Sequence, residues 1–154
     1  MNLFTVGFKG KTAEEFFSTL KRVGVEKLID VRRSNSSQLA GFTKGRDLAF
    51  FLQTCFSIEY EHIADFAPSQ EVLAEYRSKL GHKKKNDAAW ETYVRRYAQE
   101  LAQRPVAELF RKATEGVSNV CFLCSEENAD RCHRRLLAEH IAQALGNVEI
   151  KHLE

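Results

Sequence analysis

The sequence predicts a single-domain, three-layer α/β fold of the Rossmann-like kind, with a mostly parallel sheet of about five strands and helices on both faces. Short apolar segments alternate along the chain with longer segments whose apolar residues recur at helical spacing. The connections between them are close, as in parallel crossover units. The length of 154 residues suits one domain, 1–154, and the chain contains no internal repeat or low-complexity tract.

The first strand–helix–strand unit is predicted from residues 2–31. Residues 2–8 are apolar, rich in Phe and Val, and interrupted by Gly7, as in a buried strand that leads into a turn. Thr12 can cap the helix that follows, whose apolar face consists of Phe16, Phe17, Leu20 and Val23. A second apolar segment, 25–31, then forms a strand parallel to the first.

The remainder of the chain continues this alternation. The predicted elements are a helix over 47–54, a strand over 58–63, mostly helical structure over 68–104, a helix that starts at Pro105, a strand over 119–124, a helix from about Asp130 to Gly146 and a strand over 148–153. Asp87 is the expected N-cap of the long helix near residue 90. The apolar stripe of that helix is expected to be Trp90, Val94, Tyr97 and Leu101.

Composition excludes some classes of protein. Lys and Arg number 23 and Asp and Glu number 21, so the formal net charge of +2 lacks the basic excess of an obligate nucleic-acid binder. The N-terminus has no basic n-region, and no stretch approaches the ~20 apolar residues of a membrane span. We therefore expect a cytoplasmic protein without membrane contact, whose four cysteines, Cys55, Cys121, Cys124 and Cys132, stay reduced.

Three loops are expected to leave strands at the carboxyl edge of the sheet, where open parallel sheets bind ligands. They begin at Gly7, Asp30 and Cys124. In the first loop, Gly10-Lys11-Thr12 opens a helix as a phosphate-binding loop does, but Thr5 stands where that motif needs a glycine. Two interpretations stay open: an anion-binding helix start, or a tight turn with an ordinary N-cap.

The second loop contains an acid and a base on one side of a strand. Asp30 and Arg32 are two residues apart, so Arg32 can clamp a phosphate or carboxylate, or it can pair with Asp30. Elsewhere, the basic residues 83–85 and 95–96 are most simply solvated faces. Single-stranded nucleic acid is an alternative partner for them, with Tyr93 and Tyr97 for stacking.

The third loop leads to Cys132-His133-Arg134. If the last helix begins at 128–130, these residues occupy its first turn, where free N–H groups and the helix dipole favour anions. A thiol there beside His133 is acidified, so Cys132 is a candidate thiolate. The alternative is a small buried cysteine that anchors the helix on the sheet.

A zinc site is a further alternative for the cysteines. Cys121 and Cys124 have the Cys-x2-Cys spacing of zinc-binding turns. In a continuous strand, however, Cys121 and Cys124 point to opposite sides, so Cys124, Cys132 and His133 form the better metal-binding set. The leading interpretation contains no metal.

Five segments together carry a family resemblance: Thr5-Val6-Gly7, Asp30-Val31-Arg32, residues 37–42, Tyr60-Glu61-His62, and Cys124-Ser125-Glu126 through Cys132-His133-Arg134. They resemble the bacterial and archaeal family called domain of unknown function 488, and the similarity spans nearly the whole chain. Phe8, Arg33 and Cys121 depart from the usual family pattern of His, an apolar residue and an aliphatic residue. The resemblance implies the fold and the location of the site, and no reaction, because the family has no established one.

The expected function is the binding of, or action on, a small anionic ligand such as a nucleotide at a Cys/His/Arg site. Cys124 or Cys132 would be the reactive thiolate, His133 its proton partner and Glu126 an orienting carboxylate. The residues expected to bind the ligand are Gly10, Lys11, Thr12, Asp30, Arg32 and Arg134. The alternatives are a nucleic-acid-binding or regulatory module, a Cys/His metal site and a structural latch. The sequence assigns no cofactor, reaction or oligomeric state.

Overall fold

The computed structural model describes residues 1–36, 40–83 and 85–153. Its strands are β1 (Asn2–Gly7), β2 (Lys27–Asp30), β3 (Glu59–His62), β4 (Asn119–Cys124) and β5 (Glu149–Leu153). Its α-helices are α1 (Ala13–Arg22), α2 (Gly45–Phe51), α3 (Gln70–Leu80), α4 (Asp87–Ala102), α5 (Val106–Ala113) and α6 (His133–Leu145). Residues 37–39, from the third resemblance segment, and Lys84, from the basic loop, lie outside the described residues.

The five strands form one sheet in the order β3-β2-β4-β1-β5, and every neighbouring pair is parallel. The predicted fold class is therefore confirmed, with a sheet that is fully parallel. Both faces are covered, since α1 and α2 pack on one face and α4, α5 and α6 on the other. Strand β4 alternates between the two cores as predicted: Cys121 and Leu123 lie in one, Phe122 and Cys124 in the other.

Strands β1 and β4 lie side by side, with Gly7 opposite Cys124. The helices that follow these two strands, α1 and α6, cover opposite faces of the sheet. In parallel sheets, ligands bind where loops diverge in this way, at the carboxyl ends of the strands. A separate surface depression, lined in part by Met1 and Val148, lies at the amino edge and away from these loops.

Helix α4 differs in detail from the prediction. Asn86, rather than Asp87, is its N-cap, because the Asn86 side chain accepts a hydrogen bond of 3.1 Å from the Ala89 N–H. Trp90 and Val94 are only partly buried. Helix α4 packs against α3 as well as against α6, so its apolar residues are divided between two contacts. The buried residues of α4 are Ala89, Tyr93, Tyr97 and Leu101.

Among the described residues, no helix is both long and apolar enough to cross a bilayer.

Candidate functional site

Two thiols and an imidazole meet at the carboxyl edge of the sheet. Cys124 ends β4, Cys132 is the N-cap of α6 and His133 is the first residue of that helix. Their sulfur and imidazole nitrogen atoms lie within 4.8 Å of one another. The Cys124 and Cys132 side chains are buried, whereas His133 is partly exposed. The structure thus brings together the three residues that the sequence placed at the centre of the site.

Helix α6 begins about three residues later than predicted, at His133 rather than near Asp130. Cys132 has an extended backbone, with φ −131° and ψ 139°, and its thiol does not cap the helix. The preceding residues form a turn closed by a hydrogen bond of 3.1 Å from the Cys132 N–H to the Ala129 carbonyl. Cys132 therefore lies at the entrance of the helix rather than in its first turn.

The imidazole of His133 is oriented by a backbone carbonyl. Its Nε2 lies 2.8 Å from the oxygen of Val31, and a carbonyl only accepts, so Nε2 carries a hydrogen. In the neutral ring Nδ1 is then unprotonated, and it lies 3.6 Å from Cys124 Sγ. Burial lowers the pKa of His133, but interaction with Cys132 and with the Val31 carbonyl outweighs it and raises the pKa overall. His133 is thus a proton acceptor next to the thiols.

The two thiols have opposite pKa shifts. A hydrogen bond from the Cys132 thiol is the largest cause that lowers the pKa of Cys124, and the charge of Arg134 and two backbone N–H groups add to it. The same hydrogen bond, followed by burial, raises the pKa of Cys132 well above the usual value. Burial opposes the shift at Cys124 without reversing it, so Cys124 is the more acidic thiol of the pair.

Arg134 holds the loop that follows β4. Its guanidinium donates to the carbonyls of Glu126 and Glu127, the latter at 2.9 Å, and more weakly to Thr5 Oγ1 at 3.4 Å. The loop passes so close to β1 that a Cβ at Gly7 would lie 1.7 Å from the Glu126 carbonyl oxygen. All three guanidinium nitrogens have protein partners, so these contacts account for Arg134 as a loop anchor. Its role as an anion ligand stays a prediction.

Asp30 and Arg32 form a buried ion pair. Arg32 Nε and Nη2 donate to the two Asp30 oxygens at 2.8 and 2.5 Å, and Nη2 also donates to the Thr43 carbonyl at 2.7 Å. Tyr60 donates its hydroxyl hydrogen to Asp30 at 2.8 Å. Asp30 thus orients Arg32 and is itself fully engaged, so the pairing interpretation of these two residues holds.

One guanidinium nitrogen of Arg32 has no hydrogen-bond partner. Nη1 is buried without a hydrogen-bond partner, although the side chain is only 3% exposed. The guanidinium carbon lies 5.3 Å from the centre of the Phe8 ring. Burial lowers the pKa of Arg32, but Asp30 and, less strongly, Tyr60 and Cys124 raise it overall, so Arg32 and the Cys124 sulfur interact electrostatically. Because buried donors are rarely unpaired, Nη1 is the clearest candidate for a ligand contact.

The Gly10-Lys11-Thr12 turn is an ordinary turn and N-cap. The Thr12 N–H and hydroxyl both bond the Glu15 carboxylate, at 2.8 and 3.0 Å, and the Glu15 N–H bonds Thr12 Oγ1 at 3.2 Å. Backbone and side-chain hydrogen bonds with Thr12 lower the pKa of Glu15. Gly10 has a φ of +79°, which favours glycine, and Lys11 is partly buried. These contacts are those of a turn and an N-cap, and the binding of an anion by Gly10, Lys11 and Thr12 stays a prediction.

Glu126 contributes its backbone rather than its carboxylate to the site. The carboxylate is exposed and lies 3.6 Å from the ammonium of Lys9. Sequence reasoning missed two residues of the site, Tyr60 and His62. Tyr60 donates to Asp30, and the Nε2 atom of His62 lies 2.7 Å from the Arg32 carbonyl oxygen. Their position at the end of a strand parallel to β2 was the available signal, and both fall in one of the resemblance segments.

The two tyrosines that the nucleic-acid alternative assigned to base stacking are buried. Tyr93 and Tyr97 are 5% and 0% exposed, so neither ring is available to stack on a base. Arg96 is paired with Glu71 and Glu75 at 2.8 and 3.1 Å. Among the described residues of the two basic segments, the exposed side chains that bear a positive charge are those of Lys83, Lys85 and Arg95.

The same three residues can hold a metal ion. Zinc bonded to sulfur at ~2.3 Å and nitrogen at ~2.0 Å in a tetrahedron separates the two ligand atoms by roughly 3.5 Å. Cys124 Sγ lies 3.6 Å from His133 Nδ1, close to that value, but also 3.8 Å from Nε2, so the imidazole would have to turn for a metal ion at Nδ1 to reach the sulfur. A ligand histidine commonly donates its other N–H to a carbonyl, as His133 does to Val31. Cys121 lies in the core on the other face of the sheet and is not part of this set.

Comparison with known proteins gives one finding. The model of the family described as "Domain of unknown function DUF488" matches residues 12–141, which is most of the chain and includes the Asp30–Arg32 pair and the whole Cys/His cluster. No curated protein and no solved structure matches the chain. The resemblance predicted from the motifs is thus confirmed, and the chain belongs to the DUF488 family.

Proposed function

We propose that the chain binds a small anionic ligand, such as a nucleotide, at the carboxyl edge of the sheet and acts on it through the thiolate of Cys124. The observation that carries the proposal is the cluster of Cys124, Cys132 and His133, whose reactive atoms lie within 4.8 Å of one another. A thiolate is the nucleophilic form of cysteine, and neighbouring donors keep it ionised.

Each member of the cluster has a distinct part in this proposal. Cys124 is the nucleophile, because the Cys132 hydrogen bond and adjacent backbone N–H groups lower its pKa. Cys132 supplies that hydrogen bond. His133 accepts or returns a proton at Nδ1, since Nε2 is committed to the Val31 carbonyl.

The anionic character of the ligand follows from Arg32. The ion pair with Asp30 orients the guanidinium and leaves Nη1 as a buried N–H donor without a partner. A phosphate or carboxylate oxygen supplies the acceptor that this donor lacks. Lys11, at the neighbouring loop, adds a positive charge, whereas Thr12 is engaged with Glu15 and has a structural part.

Alkylation with matched neutral and anionic reagents tests both parts of the proposal. Iodoacetamide reports on the thiolate alone, and iodoacetate reports on the thiolate and on attraction of an anion. We expect the pH midpoint of Cys124 alkylation by iodoacetamide to fall below that of N-acetylcysteine in the same buffers. We also expect the iodoacetate-to-iodoacetamide rate ratio to be higher at Cys124 than at the exposed Cys55. Both are read residue by residue by mass spectrometry.

The variants Arg32→Lys and Arg33→Lys provide the matched comparison. Lysine at 32 keeps the charge opposite Asp30 but removes Nη1, so the rate ratio at Cys124 should fall to that of Cys55. Arg33 is exposed, and its change should leave the ratio intact. If the pH midpoint of Cys124 alkylation lies at or above that of N-acetylcysteine, Cys124 is not the proposed nucleophile. If the iodoacetate-to-iodoacetamide rate ratios at Cys124 and Cys55 are equal in the unaltered chain, the site does not attract an anion.

A second candidate function, a zinc centre, is favoured by the clustering of two thiols and an imidazole whose ligand atoms lie within 4.8 Å of one another. In that case Cys124, Cys132 and His133 are three ligands with one open position, as in catalytic zinc sites. One equivalent of zinc should then purify with the chain, protect Cys124 and Cys132 but not Cys55 from alkylation, and be lost in Cys132→Ser. Metal-free protein that takes up no zinc would exclude this candidate.

A further inference from the structure

We propose that Cys124 and Cys132 form a reversible dithiol–disulfide couple, in which Cys124 reduces an oxidant of the peroxide class and Cys132 resolves the product. This inference rests on the proposed function, since it uses the Cys124 sulfur as the same nucleophile. It adds a reaction class, the two-electron reduction of a substrate. It also gives the Cys132 thiol a role in resolving the product, which nucleophilic attack by Cys124 alone does not require.

The positions of the two cysteines favour the couple. Cys124 is the last residue of a central strand, and Cys132 stands at the entrance of α6, at the far end of the loop that connects them. Their sulfur atoms lie within 4.8 Å of each other. Cys132 has an extended backbone outside the helix, so the preceding helical turn does not restrict its χ1 rotamers. A side-chain rotation can therefore close the remaining gap without unwinding α6.

The other two cysteines stand apart from this pair. Cys121 lies in the core on the opposite face of the sheet, and burial raises its pKa, which keeps it a thiol. Cys55 is exposed at the end of the π-helical turn Leu52–Phe56 that extends α2. Each of them therefore serves as an internal reference in the same molecule, one for a buried thiol and one for an exposed thiol.

The chemistry balances with hydrogen peroxide as oxidant. The Cys124 thiolate attacks one peroxide oxygen, the O–O bond breaks, and hydroxide leaves and takes up the proton that Cys124 had lost, which gives a sulfenic acid and water. Cys132 then passes its proton to His133 Nδ1, and its sulfur attacks the Cys124 sulfur. The S–O bond breaks, the departing hydroxide takes the proton from His133, and a disulfide and a second water result. Two electrons pass from the two thiols to the peroxide.

The test uses the reduced, metal-free full-length chain and one equivalent of hydrogen peroxide. We expect a loss of two thiols and a disulfide between residues 124 and 132, which a thiol reductant reverses. Trypsin cleaves after Arg131, so the bond would join peptide 113–131 to the tripeptide 132–134. Fragmentation between residues 121 and 124 identifies the partner cysteine, and this mapping needs no variant.

Three variants separate the steps. Cys132→Ser should stop at a Cys124 sulfenic acid that dimedone traps, Cys124→Ser should leave Cys132 reduced at the same dose, and Cys55→Ser should behave as the unaltered chain. If Cys124 is alkylated with a lowered pH midpoint but no 124–132 disulfide forms, the couple is refuted and the proposed function stands. If Cys124 neither alkylates with a lowered midpoint nor oxidises, both fail.

Discussion

Replacement of Arg134 by methionine tests whether this residue anchors the loop after β4 or binds an anionic ligand. The guanidinium is 1% exposed and donates to two carbonyls of that loop and, at 3.4 Å, to Thr5. Hydrogen bonds that involve a charged group contribute about 1.5–3 kcal/mol each. We take the lower value for each bond, because Glu126 and Glu127 are exposed residues. The two carbonyl bonds then give a loss of about 3 kcal/mol.

Urea unfolding at neutral pH measures this loss as a midpoint shift of about 1–3 M, for slopes of about 1–3 kcal/mol per M. Arg135→Met is the matched control, since Arg135 is more exposed and its carboxylate contacts are 4.0 and 3.6 Å long. We expect it to change stability by less than about 1 kcal/mol. Equal midpoints for the two variants would refute the anchor. Unchanged or increased stability of the Arg134 variant, together with a lower iodoacetate-to-iodoacetamide rate ratio at Cys124, would restore Arg134 as an anion ligand.

Three further changes test other parts of the site. Thr12→Ala removes the reciprocal hydrogen bonds with Glu15 and should lower the free energy of unfolding by about 1 kcal/mol in urea, without a change in the iodoacetate-to-iodoacetamide ratio at Cys124. Gly7→Ala places a Cβ 1.7 Å from the carbonyl oxygen of the neighbouring loop, so the same measurement should show a loss of about 3 kcal/mol, the upper end for overpacking. Cys132→Ala removes the largest cause of the lowered Cys124 pKa. The pH midpoint of Cys124 alkylation should therefore rise, and an unchanged midpoint would show that backbone N–H groups suffice.

The order and type of the elements were predictable because each depends on local patterns. Strand β4 coincides with the predicted segment 119–124, since its apolar run is bounded by polar residues on both sides. The N-cap of α1 at Thr12 was also predicted, because the residues that form a capping box lie three apart in sequence. The start of helix α6 was predicted about three residues too early, because the chain closes a turn from Ala129 to Cys132 before the helix begins.

The composition of the site was partly predictable for a similar reason. The loops after β1, β2 and β4 had to converge once the sheet was parallel, so Cys124, Cys132 and Arg32 were expected near one another. The sequence could not predict which buried arginine has a protein hydrogen-bond partner for every guanidinium nitrogen. Arg134 and Arg32 are both buried, yet Arg134 uses all its nitrogens on the protein whereas Arg32 keeps Nη1 unpaired. That difference depends on carbonyl positions, which spacing along the chain does not specify.

The positions of Cys124 and Cys132 along the backbone explain why the pKa values of two chemically identical thiols shift in opposite directions. Cys124 ends a strand, so the N–H groups of the following turn point toward its sulfur and favour the thiolate. Cys132 lies at the far end of the loop and donates to the Cys124 sulfur, and this hydrogen bond, followed by burial, raises the pKa of Cys132. The N–H groups of Ser125 and Glu126 therefore favour the arrangement in which the Cys132 thiol donates to the Cys124 sulfur.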